Sequence, residues 1–164
     1  MNRLHKINLI IFISILLAVV MAPPTIAQSY NRLSPFKELR WRSSGVPETR
    51  INGKWYVILE LNEIPTEDII KYCKKRWPDR VQKRFEEDLV EVLERMGHKV
   101  GKTTTLHLKD IESGQKKLMR NVAMTRANRQ ALYAARNATA QVKKQANSII
   151  AKLDRNQDGQ IQKS

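Results

Sequence analysis

The stretch VPETRINGKWYVILEL, Val46 to Leu61, decides the fold. Asn52-Gly53 stands between two extended runs, and both residues tolerate the positive φ that a two-residue hairpin turn demands. The second run, Trp55 to Leu61, is dense in aromatic and branched residues and reads as a central strand. An antiparallel pair is therefore fixed early, and the flanking chain has to cover its apolar face.

Downstream, Ile64-Pro65-Thr66 opens a helix, with Thr66 as candidate cap and Glu67 and Asp68 where the positive end of the helix dipole favours acids. Ile69, Ile70, Cys73 and Trp77 form its apolar face, and Pro78 ends it. Asp79, with Gln82 three residues later, has the spacing of a capping box for a second helix. There Val81, Phe85, Leu89, Leu93 and Met96 recur at helical spacing, and Gly97 suits the stop. Glu86, Glu87, Asp88, Glu91 and Glu94 alternate with Lys83, Arg84 and Arg95 and read as a salt-bridged outer surface.

Next, GKTTTLHLKD sets Thr104, Leu106 and Leu108 against Thr103, Thr105 and His107, the period of a half-buried strand. IESGQ is a turn, KKLMRNVAM a returning strand, and 125–153 one long helix. Upstream, 28–45 shows no sustained period and reads as an irregular lead-in. The fold class is α+β: over 46–124, a small, mostly antiparallel sheet packed by two amphipathic helices, followed by the long helix.

Two segments, VILELNEIPTED and VGKTTTLHLKDIESGQKKLMRNVAM, together resemble the second half of a bacterial PDZ domain, where an I-x-x-x-N-G-x-P turn precedes a helix and a strand hairpin. Glu63 stands where that pattern has glycine, two helices replace one, and no Gly-Leu-Gly type loop is present to take a peptide carboxylate. The resemblance implies the sheet-and-helix arrangement and, less directly, peptide binding.

At the other end, DRNQDGQIQKS resembles an EF-hand calcium loop. With Asp154 as position one, Asn156, Asp158 and Gly159 fall at three, five and six. Gln160 would give its carbonyl at seven. Ile149, Ile150 and Leu153 make the preceding helix apolar where an entering helix usually is. The bidentate glutamate of position twelve would be residue 165, beyond Ser164, so this reads as a partial, truncated loop over 154–164. Two carboxylates in a basic chain imply weak or structural calcium binding, with a dissociation constant near or above about 10⁻³ M.

Charge supplies the other functional signal. The chain carries 30 Lys and Arg against 16 Asp and Glu, a formal net charge of +14. Between Ser113 and Leu153 stand Lys116, Lys117, Arg120, Arg126, Arg129, Arg136, Lys143, Lys144 and Lys152 without one acid. Such a run suits an anionic polymer or an acidic protein. Within the long helix, Leu132, Ala135, Thr139, Val142, Ala146, Ile149 and Leu153 alternate at spacings of three and four, a seam of mostly small knobs. Two copies would oppose like charges, so the seam points to packing on the parent sheet or on an acidic partner helix.

Residues 1–27 have the order of a secretory signal peptide: Arg3 and Lys6, an apolar run from Ile7 to Ala22, Pro23-Pro24, then Thr25 and Ala27 before the cleavage point. Cleavage leaves no expected membrane span and a secreted or periplasmic chain, which makes nucleic acid an unfavoured partner. The aromatics within KYCKKRWPDRVQKRF, residues 71–85, are explained by the core. The single cysteine, Cys73, excludes an internal disulfide and lies on a helical apolar stripe. Neither His98 nor His107 belongs to a triad or metal motif, and glycine-rich phosphate loops are absent, so an enzyme is not expected. The sequence thus reads first as an exported, non-enzymatic binding module with weak calcium binding. The alternatives are a basic adaptor for an anionic envelope or extracellular polymer or an acidic partner, and PDZ-like peptide binding. The oligomeric state is left open.

Overall fold

A computed structural model describes residues 30–153. The segment read as a signal peptide and the calcium-like loop, including Asp154, Asn156, Asp158 and Gln160, lie outside the described residues. Strands β2 (Pro47–Ile51) and β3 (Lys54–Leu61) form the expected hairpin, with Ile51 paired to Lys54. Asn52 and Gly53 adopt φ of 50° and 81°. Two positive-φ residues give the turn a twist that matches the strands, so the register is set locally.

With β1 at Leu39–Trp41, β4 at Ile64–Pro65, β5 at Thr103–Asp110 and β6 at Lys116–Ala123, the antiparallel sheet runs β1-β2-β3-β5-β6, and β4 pairs to β3 off this path. β5 buries Thr104, Leu106 and Leu108 as its alternation predicts. β3 changes phase midway: Tyr56 and Ile58 are buried, then Leu61. The cause is a bulge, since Ile58 pairs with Leu108 and Glu60 with His107, leaving Leu59 as the extra residue. This returns Leu61 to the core beside Leu106, a burial that contributes about 2 kcal/mol.

β1 (Leu39–Trp41) lies inside the segment read as irregular, pairing Leu39 to Thr49 and Trp41 to Pro47. Short strands of this kind carry too few residues to show a period. Phe36, just before it, is 1% exposed and stacks on Phe85 with ring centroids 6.1 Å apart.

Helix α1 (Thr66–Arg76) buries Ile69, Ile70 and Cys73. Thr66 is its first residue and not its cap: Pro65 holds the cap position, and the Thr66 hydroxyl is buried without a partner. Burial pushes the Cys73 thiol up to about 11, which leaves it protonated and inert. The second helix is also not continuous. Pro78–Arg80 is a 3₁₀ turn with no side-chain cap from Asp79, α2 spans Val81–Glu87 and α3 spans Leu89–Arg95, with the break at Asp88. The apolar seam survives the break because Phe85, Leu89, Val92 and Leu93 are all buried. Gly97 at φ 92° closes α3, with His98 N–H donating to the Leu93 carbonyl at 3.0 Å.

Helix α4 is Arg126–Leu153. Thr125 caps it, its hydroxyl accepting the Asn128 N–H at 3.0 Å. Its first turns pack on α2, and Leu132 is 3% exposed. Every residue from 138 to 152 is exposed, so the seam leaves the body after its first knobs and does not lie on the parent sheet.

Candidate anion-binding site

The head of α4 is tied to the body through Ser34. Ser34 N–H donates to the Thr125 carbonyl at 3.1 Å, Thr125 N–H returns to Ser34 at 3.0 Å, and the Asn128 amide donates to the same Ser34 oxygen at 3.2 Å. This bridge sets residues 30–32 beside the first two turns of α4. Tyr30, Asn31 and Arg32 then face Arg126, Arg129 and Gln130 across a hollow of 350 Å³ whose lining holds three arginines and no acid.

A second hollow, of 420 Å³, shares Arg32 and Arg129 and extends to Lys83, Arg84 and Arg95 on α2 and α3, with Asp88 and Glu91 as its acids. The cations near those acids are committed. Asp88 takes Lys83 at 2.6 Å and Arg84 at 3.1 Å, while Glu91 takes Arg84 at 3.0 Å and Arg95 at 2.9 Å. Arg84 also lies 4.4 Å over the Trp77 ring. Neither Arg32 nor Arg126 has a hydrogen-bond or ion-pair partner among the described residues.

Electrostatics sharpen the contrast. The amino end of a helix carries a partial positive charge that favours acids there, yet the first turn of α4 holds none and opens on Arg126. Arg126 and Arg32 therefore add to the positive potential there, and no acid lines the hollow they share. An oxyanion between them would meet guanidinium forks suited to two parallel hydrogen bonds.

The expected anion-binding residues divide into groups. Arg126 and Arg129 meet in the hollow. Arg129 also reaches inward: its Nη2 is 3.4 Å from Glu87 Oε2. Arg136 pairs with Glu87 Oε1 on the opposite side. Lys116, Lys117 and Arg120 lie apart on β6, all exposed, with Lys117 5.5 Å from the Tyr56 ring centre. Lys143 and Lys144 lie on the exposed length of α4.

The acids read as an outer surface include two that are buried. Glu87 is 1% exposed and Glu86 8%. Glu86 accepts the Trp41 indole N–H at 2.7 Å. Burial raises the Glu86 carboxyl above its ordinary value, against the opposing pull of Trp41 and Arg136. On β2, Glu48 shows the reverse balance. It is buried, which on its own would raise it, but hydrogen bonds from Arg40 and Arg42 outweigh burial and leave it lowered.

Arg32 was absent from the expected set because it precedes the basic run by some distance in sequence. The Ser34–Thr125 bridge that unites them is long-range and leaves no local pattern. Among the described residues no group of three or more His, Cys, Asp or Glu is arranged to hold a metal ion, so the calcium reading rests on 154–160 alone. Among them, too, no helix is long and apolar enough to cross a membrane. No family model matches the chain, and no curated protein or solved structure matches it either.

Proposed function

We propose that this chain is an exported, non-enzymatic binding module that takes a phosphate- or sulfate-bearing anionic polymer on the arginine-lined hollows at the head of α4. One observation carries the reading: Arg32 and Arg126, both without partners among the described residues, flank an acid-free hollow at the positive end of a 28-residue helix. Placing cations there costs helix stability, a cost that a bound anion would recover. Lys116, Lys117 and Arg120, exposed on β6 apart from the hollows, add to the chain's positive surface. Binding to a sulfated oligosaccharide tests the proposal: it should weaken steeply with salt and fail for the Arg32→Glu/Arg126→Glu variant.

A second reading, weak or structural calcium binding through Asp154, Asn156, Asp158 and the Gln160 carbonyl, is supported by α4 itself. The helix is unbroken from Arg126 to Leu153, as the entering helix of such a loop would be. Calorimetric titration with calcium tests it, since the wild type should give heat that an Asp154→Ala/Asp158→Ala variant lacks. Identical traces would remove calcium.

A further inference from the structure

We infer that the outer half of α4 is a docking surface for an acidic amphipathic helix of a partner protein. An isolated helix shorter than about 12–15 residues is marginal in water, and most helical stability in proteins comes from a covered apolar face. Among the described residues nothing covers 138–152, where Val142, Ile149 and Ile150 are 65%, 58% and 50% exposed. Val142, Ala146 and Ile149 follow one another at spacings of four and three and share one stripe with the buried Leu132, while Ile150 widens it.

The stripe is continuous with a groove of 460 Å³ on the body, where Leu39 and Trp41 of β1 face Leu132, Ala135 and Thr139 of α4. Arg40 and Arg136 also line it, its one acid, Glu86, accepts the Trp41 indole N–H, and it reaches out to Lys143. A partner helix following the stripe would enter this groove without changing direction. Small knobs at Ala135, Thr139 and Ala146 allow close backbone approach and leave room for large apolar side chains from the other helix.

Charge selects the occupant. The exposed half carries Lys143, Lys144 and Lys152 with no acid anywhere from Ser113 to Leu153. A second copy would oppose lysines to lysines, whereas a helix with Asp or Glu beside its apolar residues would complement them. A lipid surface is the poorer fit, because interfacial helices rely on bulky Trp, Phe and Leu, and this stripe offers one valine and two isoleucines among alanines. The surface is distinct from the arginine hollows, so the chain could join an anionic polymer at one end of α4 to a protein at the other.

The probe is a synthetic amphipathic helix with leucine on its apolar face and glutamate on both flanks, titrated against the full chain, beside the same peptide with glutamine flanks. We expect the glutamate peptide to bind at least about tenfold more tightly than the glutamine one, with binding lost in Val142→Ser/Ile149→Ser and retained in Arg32→Glu/Arg126→Glu. Amide exchange over 138–152 should slow on binding. These exposed positions can be changed without disturbing the core. Equal affinity for the two peptides, indifference to the serine variant, preference for phosphatidylserine vesicles over the peptide, or concentration-dependent self-association through the same residues would each overturn the inference.

Discussion

Arg129 grips Glu87 twice: its Nε donates to the Glu87 carbonyl at 3.2 Å, and its Nη2 sits 3.4 Å from the carboxylate of the same residue. With Arg136 on the other carboxylate oxygen, helix α4 is anchored to α2 through a carboxylate that water barely reaches. The same guanidinium lines both arginine hollows, so the anchor and the candidate site share a residue.

Removing one partner of a buried ion pair leaves an uncompensated charge. Arg129→Ala should therefore cost about 3 kcal/mol, the lower end of the usual range because Arg136 remains. Arg129→Lys should recover little, since an ammonium cannot reach the carbonyl and the carboxylate together. Urea unfolding measures this, and a loss under about 0.5 kcal/mol, the level of a surface substitution, would contradict the anchoring role.

Glu63 sits at φ 66° in the β3–β4 turn, with Asn62 before it at 47°. The side chain of Asn62 earns its strain by accepting both the Thr104 hydroxyl at 2.9 Å and the Thr105 N–H at 2.8 Å. Glu63 has no such return, and a left-handed non-glycine residue costs about 1–2 kcal/mol. Glu63→Gly should thus stabilise the chain by about 0.5–1 kcal/mol, after the greater freedom of glycine in the unfolded chain is set against the relief. A raised urea midpoint at unchanged slope is the expected result; a lowered midpoint would contradict it.

The two buried carboxylates respond to pH in opposite senses. Glu86 is raised by burial in the folded state, so ionising it works against folding, and stability falls as pH rises through its folded value. Glu48 is lowered because its arginines outweigh burial, so its contribution is present above the ordinary glutamate value and is lost as pH falls through the folded one. Glu86→Gln keeps an acceptor for Trp41 and removes the ionisation. It should be more stable than wild type near pH 7, with the gap closing toward about pH 3, well below the ordinary glutamate value, where Glu86 is protonated in both states. A variant equally destabilised at both pH values would contradict the assignment.

What was legible in the sequence was local. Asn52-Gly53 fixed one hairpin, the alternation around Leu106 fixed another strand, and the helix after Thr125 showed in the three- and four-residue spacing of its seam. What was not legible came from distant partners. β1 is only Leu39–Trp41, and its indole meets a glutamate 45 residues away. The seven-residue spacing of Arg129 and Arg136 placed both on one face, in a helix with no acid of its own. That was the available sign that their counter-charge would come from elsewhere, and that the glutamates of α2 need not face water. The candidate site was half visible, through Arg126 and Arg129, while Arg32 depended on the Ser34 bridge.

The most direct test of the central claim is the affinity of a sulfated oligosaccharide for wild type and for Arg32→Glu/Arg126→Glu, measured across about 50 to 200 mM salt. Lys71→Glu/Lys75→Glu, the same charge change on exposed residues of α1, serves as control. The account predicts that the arginine variant loses most of the affinity and flattens the salt dependence, while the control stays near wild type. Equal losses in the two variants would mean that net charge alone draws the polymer, and the hollows at the head of α4 would hold no site.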